Sequence, residues 1–320
     1  MSYCFISADF ITTFKADTGS RMSWQIGIGN WVAYSMDYLW SQVPESQFRL
    51  LHKSRVSLSR AQVRKEREKA WLALALAWVA GDIDAIGYLV LFHLFTAHMS
   101  GNSVGMGLYL GQQQWGEALH RAFPIPMFIF GIALSTVLTE IVVRRGTRSS
   151  FALLIGIEAI LLLIFLLFGS QVMHDGSISA GPLWEFYTLA ALPAIAMGIQ
   201  SATLRRVGGQ TIHTTYVTGM LTRLTEEATL YALWLHDHLR RKSQVHLGKL
   251  LRVSSRQQSL NRALLFGGIW SSYIVGAIIG GYTELHWGLW SVAESLCVLS
   301  GLIVVDLIWP IAPLHPEPHP

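Results

Sequence analysis

Cysteine is almost missing from this chain, and charge is scarce. The two cysteines, Cys4 and Cys297, lie far apart, one in the N-terminal tail and one in the last apolar run. Nothing in that pair implies a disulfide framework or a thiolate metal centre. Only 14% of residues are charged while 52% are hydrophobic, and the mean hydropathy of +0.39 is outside the usual range for a soluble domain. Proline is also rare within the apolar runs, where Pro126 opens one and Pro193 interrupts another. No P-loop, GxGxxG, HExxH or nucleophile-elbow pattern occurs in its required context, so no familiar enzyme class, catalytic residue or cofactor is indicated.

What is present is a series of long apolar blocks. Six can cross a hydrocarbon core of about 30 Å as helices: Trp71–Phe95, Pro126–Val143, Phe151–Gly169, Leu183–Leu204, Ala263–Tyr282 and Trp287–Trp309. Their unbroken hydrophobicity argues against a β-barrel, whose strands alternate. With the N-terminus cytoplasmic, 23 of the 24 Lys and Arg residues fall on the inner side and Arg121 alone falls outside. This bias sets the orientation, with both termini cytoplasmic. It also accounts for the basic runs without nucleic acid. The N-terminal tail shows no signal-peptide pattern, so the first span is expected to act as an uncleaved insertion signal. Met22 and Met36 are alternative starts.

Two segments echo each other. Phe95–Gly105 (FTAHMSGNSVG) recurs in degenerate form at His213–Arg223 (HTTYVTGMLTR), matching Thr96 with Thr214, Ser100 with Thr218 and Gly101 with Gly219 at an offset of 118 residues. A weaker echo aligns Glu158 with Glu294. Three spans per repeat is an odd number, so the second repeat would enter the bilayer from the other side. The expected fold is therefore all-α: a transmembrane bundle of six spans arranged as two inverted three-span repeats, about 71–169 and 183–309. The two motif segments are expected as short re-entrant or interfacial helices. Around this domain, 70–309, lie a cytoplasmic tail at 1–69 with a basic helical extension over Arg55–Ala70, and a Pro-rich cytoplasmic tail at 310–320. Thr222–Leu239 reads as a charged surface helix, and Arg240–Asn261 as a basic loop.

Ionisable residues inside apolar spans mark functional candidates. Asp82 and Asp84 sit in the first span on different helix faces, and Asp84 shares its face with Gly87, Tyr88 and Leu91. In the second repeat the corresponding stretch carries Gln200. The candidate substrate-binding set is Asp84, Ser100, Gly101, Asn102, Gln200, Thr218 and Gly219. Glu158 and Glu294 are candidate proton-coupling carboxyls, because a protonated acid is the cheapest form at that depth. Packing of small residues is the competing explanation for the glycine motifs, and a structural helix contact is the competing explanation for Asp84. His93 and His98 do not share a face well enough for a metal site.

The motifs GDIDAIGYL, FTAHMSGNSVGMG, FGIAL, AMGIQSATLRRVGG, TTYVTGMLTRL and VGAIIGG, in this order, resemble the YoaK family, bacterial membrane proteins grouped as a domain of unknown function. The resemblance covers roughly residues 70 to 309, with Ser100 where the family more often has Thr and a long basic insertion at Arg240–Asn261. It implies a multi-pass protein of the bacterial cytoplasmic (inner) membrane and brings no substrate. The expectation is a small-solute transporter with proton coupling, whose partners are the lipid bilayer, a small solute and a second copy in a homo-oligomer. The alternatives are a membrane interaction or assembly protein and an intramembrane enzyme. A solid core with Asp84 satisfied by helix contacts would favour assembly; a polar cavity reaching it would favour transport.

Overall fold

The computed structural model describes residues 60–145, 151–174, 177–178, 183–208, 217–241, 254 and 257–308. The chain divides into two units, Met1–Leu58 and Ser59–Pro320. The first unit, the Pro-rich tail and most of the basic insertion lie outside the described residues, so the readings made there stay expectations.

Helices dominate the described residues. They are α1 (Arg60–Val90), α2 (Met99–Gly111), α3 (Trp115–Ala122), α4 (Pro124–Arg144), α5 (Phe151–Val172), α6 (Leu183–Gly208), α7 (Val217–Arg241), α8 (Gln258–Trp287) and α9 (Val292–Ile308). A four-residue 3-10 turn, Gly288–Ser291, joins α8 to α9, and a minimal antiparallel pair, Met173–His174 with Ser177–Ile178, follows α5. Five helical stretches are long and apolar enough to cross a membrane: Arg67–Val90, Trp115–Arg144, Phe151–Val172, Leu183–Arg205 and Gln258–Ile308. The last runs for 51 residues and bends at Gly288, whose backbone (φ 60°, ψ −148°) occupies a region open almost only to glycine. Exposed tryptophans lie near the ends of the apolar stretches: Trp71 near the start of Arg67–Val90, and Trp184, Trp287 and Trp290 at the opposite end. Such aromatic girdles mark the two interfaces of a bilayer.

The core is where α1 meets α8, α6 and α9. α1 buries most of its length, from Leu72 to Val90, with Leu76, Ala77, Val79, Ala80 and Ile86 fully enclosed. α8 runs parallel to α1, since Ser272 donates to the Leu74 carbonyl (2.8 Å), Gly276 lies on Trp78 and Gly280 lies on Asp82. α5 and α9 are antiparallel: the Asp306 carboxylate accepts from the Ala152 amide (3.2 Å) at one end and Gly169 packs on Leu289 at the other. That carboxylate satisfies a backbone N–H in the first turn of α5, one of the donors that a helix start leaves without an intrahelical partner.

Two helix crossings share one design. In the α1–α8 crossing a side chain at Gly81 would overlap the Tyr273 carbonyl, and one at Gly276 would overlap the Trp78 carbonyl. In the α4–α6 crossing a side chain at Gly198 would overlap the Phe128 carbonyl, and one at Gly131 the Ile195 carbonyl. The two sets correspond residue for residue. Gly81 and Trp78 precede Gly198 and Ile195 by 117 residues, while Gly131 and Phe128 precede Gly276 and Tyr273 by 145. Small residues permit this close backbone approach in a solvent that offers no hydrophobic gain for helix pairing.

Candidate functional site

The first span ends earlier than its hydropathy suggests. α1 stops at Val90, and Phe92 (φ 51°) and His93 (φ 63°) take left-handed backbone conformations that side-chain-bearing residues rarely adopt. The chain then runs non-helically through Leu94–His98 and enters α2 at Met99. Non-helical backbone near a bilayer core needs protein partners for its polar groups. Two side chains supply them.

One is Asp84, which is 2% exposed. Its Oδ1 accepts from the Thr96 amide (2.8 Å), the Thr96 hydroxyl (2.9 Å) and the Ala97 amide (2.7 Å). Its Oδ2 pairs with His98 Nδ1 (2.5 Å) and accepts from the Tyr273 hydroxyl of α8 (2.9 Å). Five contacts fill the carboxylate's accepting capacity. The other is Asn102, fully buried on α2, whose carboxamide accepts from the Phe95 amide (3.0 Å) and donates to the Phe95 carbonyl (2.6 Å). The segment is thus clamped between a carboxylate behind it and a carboxamide ahead of it. Arg121 of α3 adds a third tie by donating to the His93 carbonyl, with its guanidinium 5.8 Å from the Tyr109 ring centre. Gly87 and Gly101 leave room for the Thr96 methyl and the Phe95 ring, respectively.

The structure brings Asp84, Gly101 and Asn102 together, with Ser100 on the exposed side of the same short helix. Gln200 is elsewhere: its Nε2 donates to the Leu76 carbonyl (2.6 Å), eight residues below Asp84 on α1, or about 12 Å along the helix axis. Thr218 and Gly219 open α7, with Thr218 exposed. Thr214, the counterpart of Thr96 in the second motif, lies outside the described residues. The second motif also departs from the expected half-helix. It merges with the expected surface helix into the 25-residue α7, an amphipathic rod packed on α8, with Glu227 paired to Arg262 of that helix (3.2 Å). Thr222, Thr225 and Thr229 bond back to carbonyls four residues earlier within this continuous helix. An open groove of about 790 Å³ runs along its outer face past these threonines and Glu226.

Several buried polar atoms lack a partner among the described residues: Asp82 Oδ1, both Glu158 carboxyl oxygens, Gln200 Oε1 and the Ser291 hydroxyl. Glu158 lies in the buried stripe of α5 beside Ile155 and Leu162, and Glu294 is half-buried near the start of α9. Asp82 faces α8 and α9 while Asp84 faces the 94–98 segment, as their different helix faces require. Pro193 is buried within α6, which stays helical through it.

Sequence reading missed His98 as a carboxylate partner and missed Tyr273 entirely. His98 carried a signal, since it sits within the motif itself. Tyr273 carried none, because one tyrosine in an apolar span is ordinary and its partner lies 189 residues away.

Comparison with known proteins fits this architecture. The model of the family described as "Protein of unknown function (DUF1275)" matches residues 72–305. The UPF0700 transmembrane protein YoaK of Bacillus subtilis (strain 168) is 29% identical over 152 residues, which cover 48% of this chain and 64% of that relative. The match therefore spans less than two thirds of the relative's length. No solved structure matches.

Proposed function

The chain belongs to the DUF1275 family of proteins of unknown function, and on the premise that it is a membrane protein of that family we propose that it moves a small solute across the bacterial inner membrane. In this reading it crosses the bilayer six times as two inverted three-span halves. The equivalent glycine crossings support the repeat, and the parallel α1–α8 and antiparallel α5–α9 pairs support the inversion. The 51-residue stretch Gln258–Ile308 is about 76 Å of helix, enough for two crossings separated by the turn at Gly288. Reporter fusions after Gly176 would then read outside and fusions after Ser254 inside; the reverse at either point would remove the inversion.

One observation carries the transport reading: a broken, side-chain-clamped segment sits at one end of α1 while unused hydrogen-bonding capacity lies deeper in the bundle. Transporters built from inverted repeats place their sites at such discontinuities between halves. Asp84 then acts as the latch that holds the break closed, with Asn102 and Gly101 shaping it and Ser100 at its mouth. Gln200, through its free Oε1, contacts the solute. Thr218 and Gly219 form the inner counterpart of the outer motif. Glu158 carries the coupled proton, with Glu294 as its equivalent in the second half. One observation favours the assembly reading instead: every acceptor site of Asp84 is already used within the fold.

A panel of small solutes screened by thermal unfolding of the purified protein separates the two. Under the transport reading at least one solute stabilises by mass action, Gln200→Leu abolishes that shift, and Glu158→Gln uncouples uptake from the proton gradient in vesicles. No shift with any solute, together with no labelling of a Gln200→Cys variant by a water-soluble maleimide from either side, would leave the assembly reading in place.

A further inference from the structure

Asp82 has no role in the outer clasp, yet its carboxylate is fully enclosed at mid-span of α1. Its Oδ2 accepts from the Ser295 hydroxyl of α9 at 2.5 Å, and its Oδ1 has no donor among the described residues. One helical turn before Ser295 lies Ser291, also fully buried and also unpartnered, in the 3-10 turn where α8 gives way to α9. On the third side Gly280 lies against the carboxylate, and any side chain there would occupy the position of Oδ1. Glu294 is close enough for its charge to act on Asp82. An isolated, ionised carboxylate at this depth costs at least about 2.5 kcal/mol, so it is either protonated or paired with a positive charge. No basic side chain bonds to it among the described residues.

We infer that Asp82, Ser295 and Ser291 hold a monovalent cation of about the size of sodium at the junction of α1, α8 and α9. The donors are all oxygens, which suit a hard ion, and the set contains one fully buried carboxylate, which balances a single positive charge. A proton on Asp82 would still leave Oδ1 and the Ser291 hydroxyl unpaired. A bound cation gives both a partner. Irregular backbone at a helix break supplies further carbonyls in known ion-coupled membrane proteins, and the Gly288–Ser291 turn is such a break. The inference does not depend on solute transport, since a cation can be held for stability alone.

Thermal unfolding of the full chain in nanodiscs, with sodium exchanged for choline at constant ionic strength, tests it. Sodium should raise the Tm saturably, by about 2 °C or more, with lithium weaker and choline inert. Asp82→Asn should abolish the shift. Ser291→Ala, which removes a hydroxyl that bonds to nothing else, should leave the Tm in choline unchanged and weaken the sodium response several-fold, so the test survives if Asp82→Asn fails to fold. Equal Tm in sodium and choline would overturn the inference. So would a sodium shift that persists in both variants, or a Tm that follows pH and ignores sodium. Failure of every solute in the transport screen would leave the result untouched.

Discussion

The α1–α8 and α4–α6 crossings are built on the same glycine pair and the same backbone contacts, yet only the first carries carboxylates. At the positions equivalent to Asp82 and Asp84 the second crossing has Ile199 and Ser201, and opposite them Phe128 stands where Tyr273 supplies its hydroxyl. Where Gly280 admits the Asp82 side chain, the second crossing has Ser135, which lies 3.5 Å from the Thr203 hydroxyl. The close approach of the helices is therefore independent of the polar chemistry. Packing is common to both crossings, and among the described residues the carboxylate clasp is seen only in the first.

The sharpest way to break that comparison is at the shared glycines. Gly276→Val and Gly198→Val each force a side chain into a backbone carbonyl that cannot move aside, and each should cost about 5 kcal/mol or more, read as loss of monodisperse protein in size-exclusion chromatography. Gly301→Ala, with open space around it, should be silent. If only one of the two valine variants fails, the crossings are not equivalent.

Next in size is Asp84→Leu, which strands the buried Thr96 and Ala97 amides and should lower stability by about 3 kcal/mol in thermal unfolding. Asp84→Asn keeps an acceptor for those amides and should lose roughly half as much. Asn102→Ala removes both bonds to the Phe95 backbone and should cost about 2 kcal/mol, with proteolysis after Phe92 or Phe95 as a local readout. The smallest effect is expected at Ser201→Ala, under about 1 kcal/mol, because a neutral hydroxyl offers weaker hydrogen bonds than a carboxylate does. A loss there as large as that of Asp84→Leu would mean that the second crossing carries a clasp of its own.

The starts of two expected spans were legible because hydropathy depends on local composition: Phe151–Gly169 and Leu183–Leu204 begin where α5 and α6 begin. The end of the first span was not. Leu91, Phe92 and Leu94 read as helix, but the chain breaks after Val90, since Asp84 and Asn102 offer its amides better partners than another helical turn would. The short first motif helix followed from its length and its glycines. The second motif escaped this reading because its helix runs on without a break into the charged segment. Of the site, the buried acids were visible as charges in apolar sequence. Their partners Tyr273 and Ser295 were not, as hydroxyls carry no hydropathy signal and lie 189 and 213 residues away.

Those separations have a consequence for how the protein is made. At roughly 5 to 20 residues per second of synthesis, α1 leaves the ribosome about ten to forty seconds before the residues that complete Asp82 and Asp84 exist. The near partners of Asp84 follow within a second or so, and Asn102 shortly after, so the 94–98 segment can close early on its own half. Asp82 has no such neighbour. Until α8 and α9 arrive, its relief is a proton, water or a borrowed group at the edge of the insertion machinery. The first span is thus committed to the bilayer last in energy though first in time, and a chain truncated before Gly280 should leave α1 waiting at the interface.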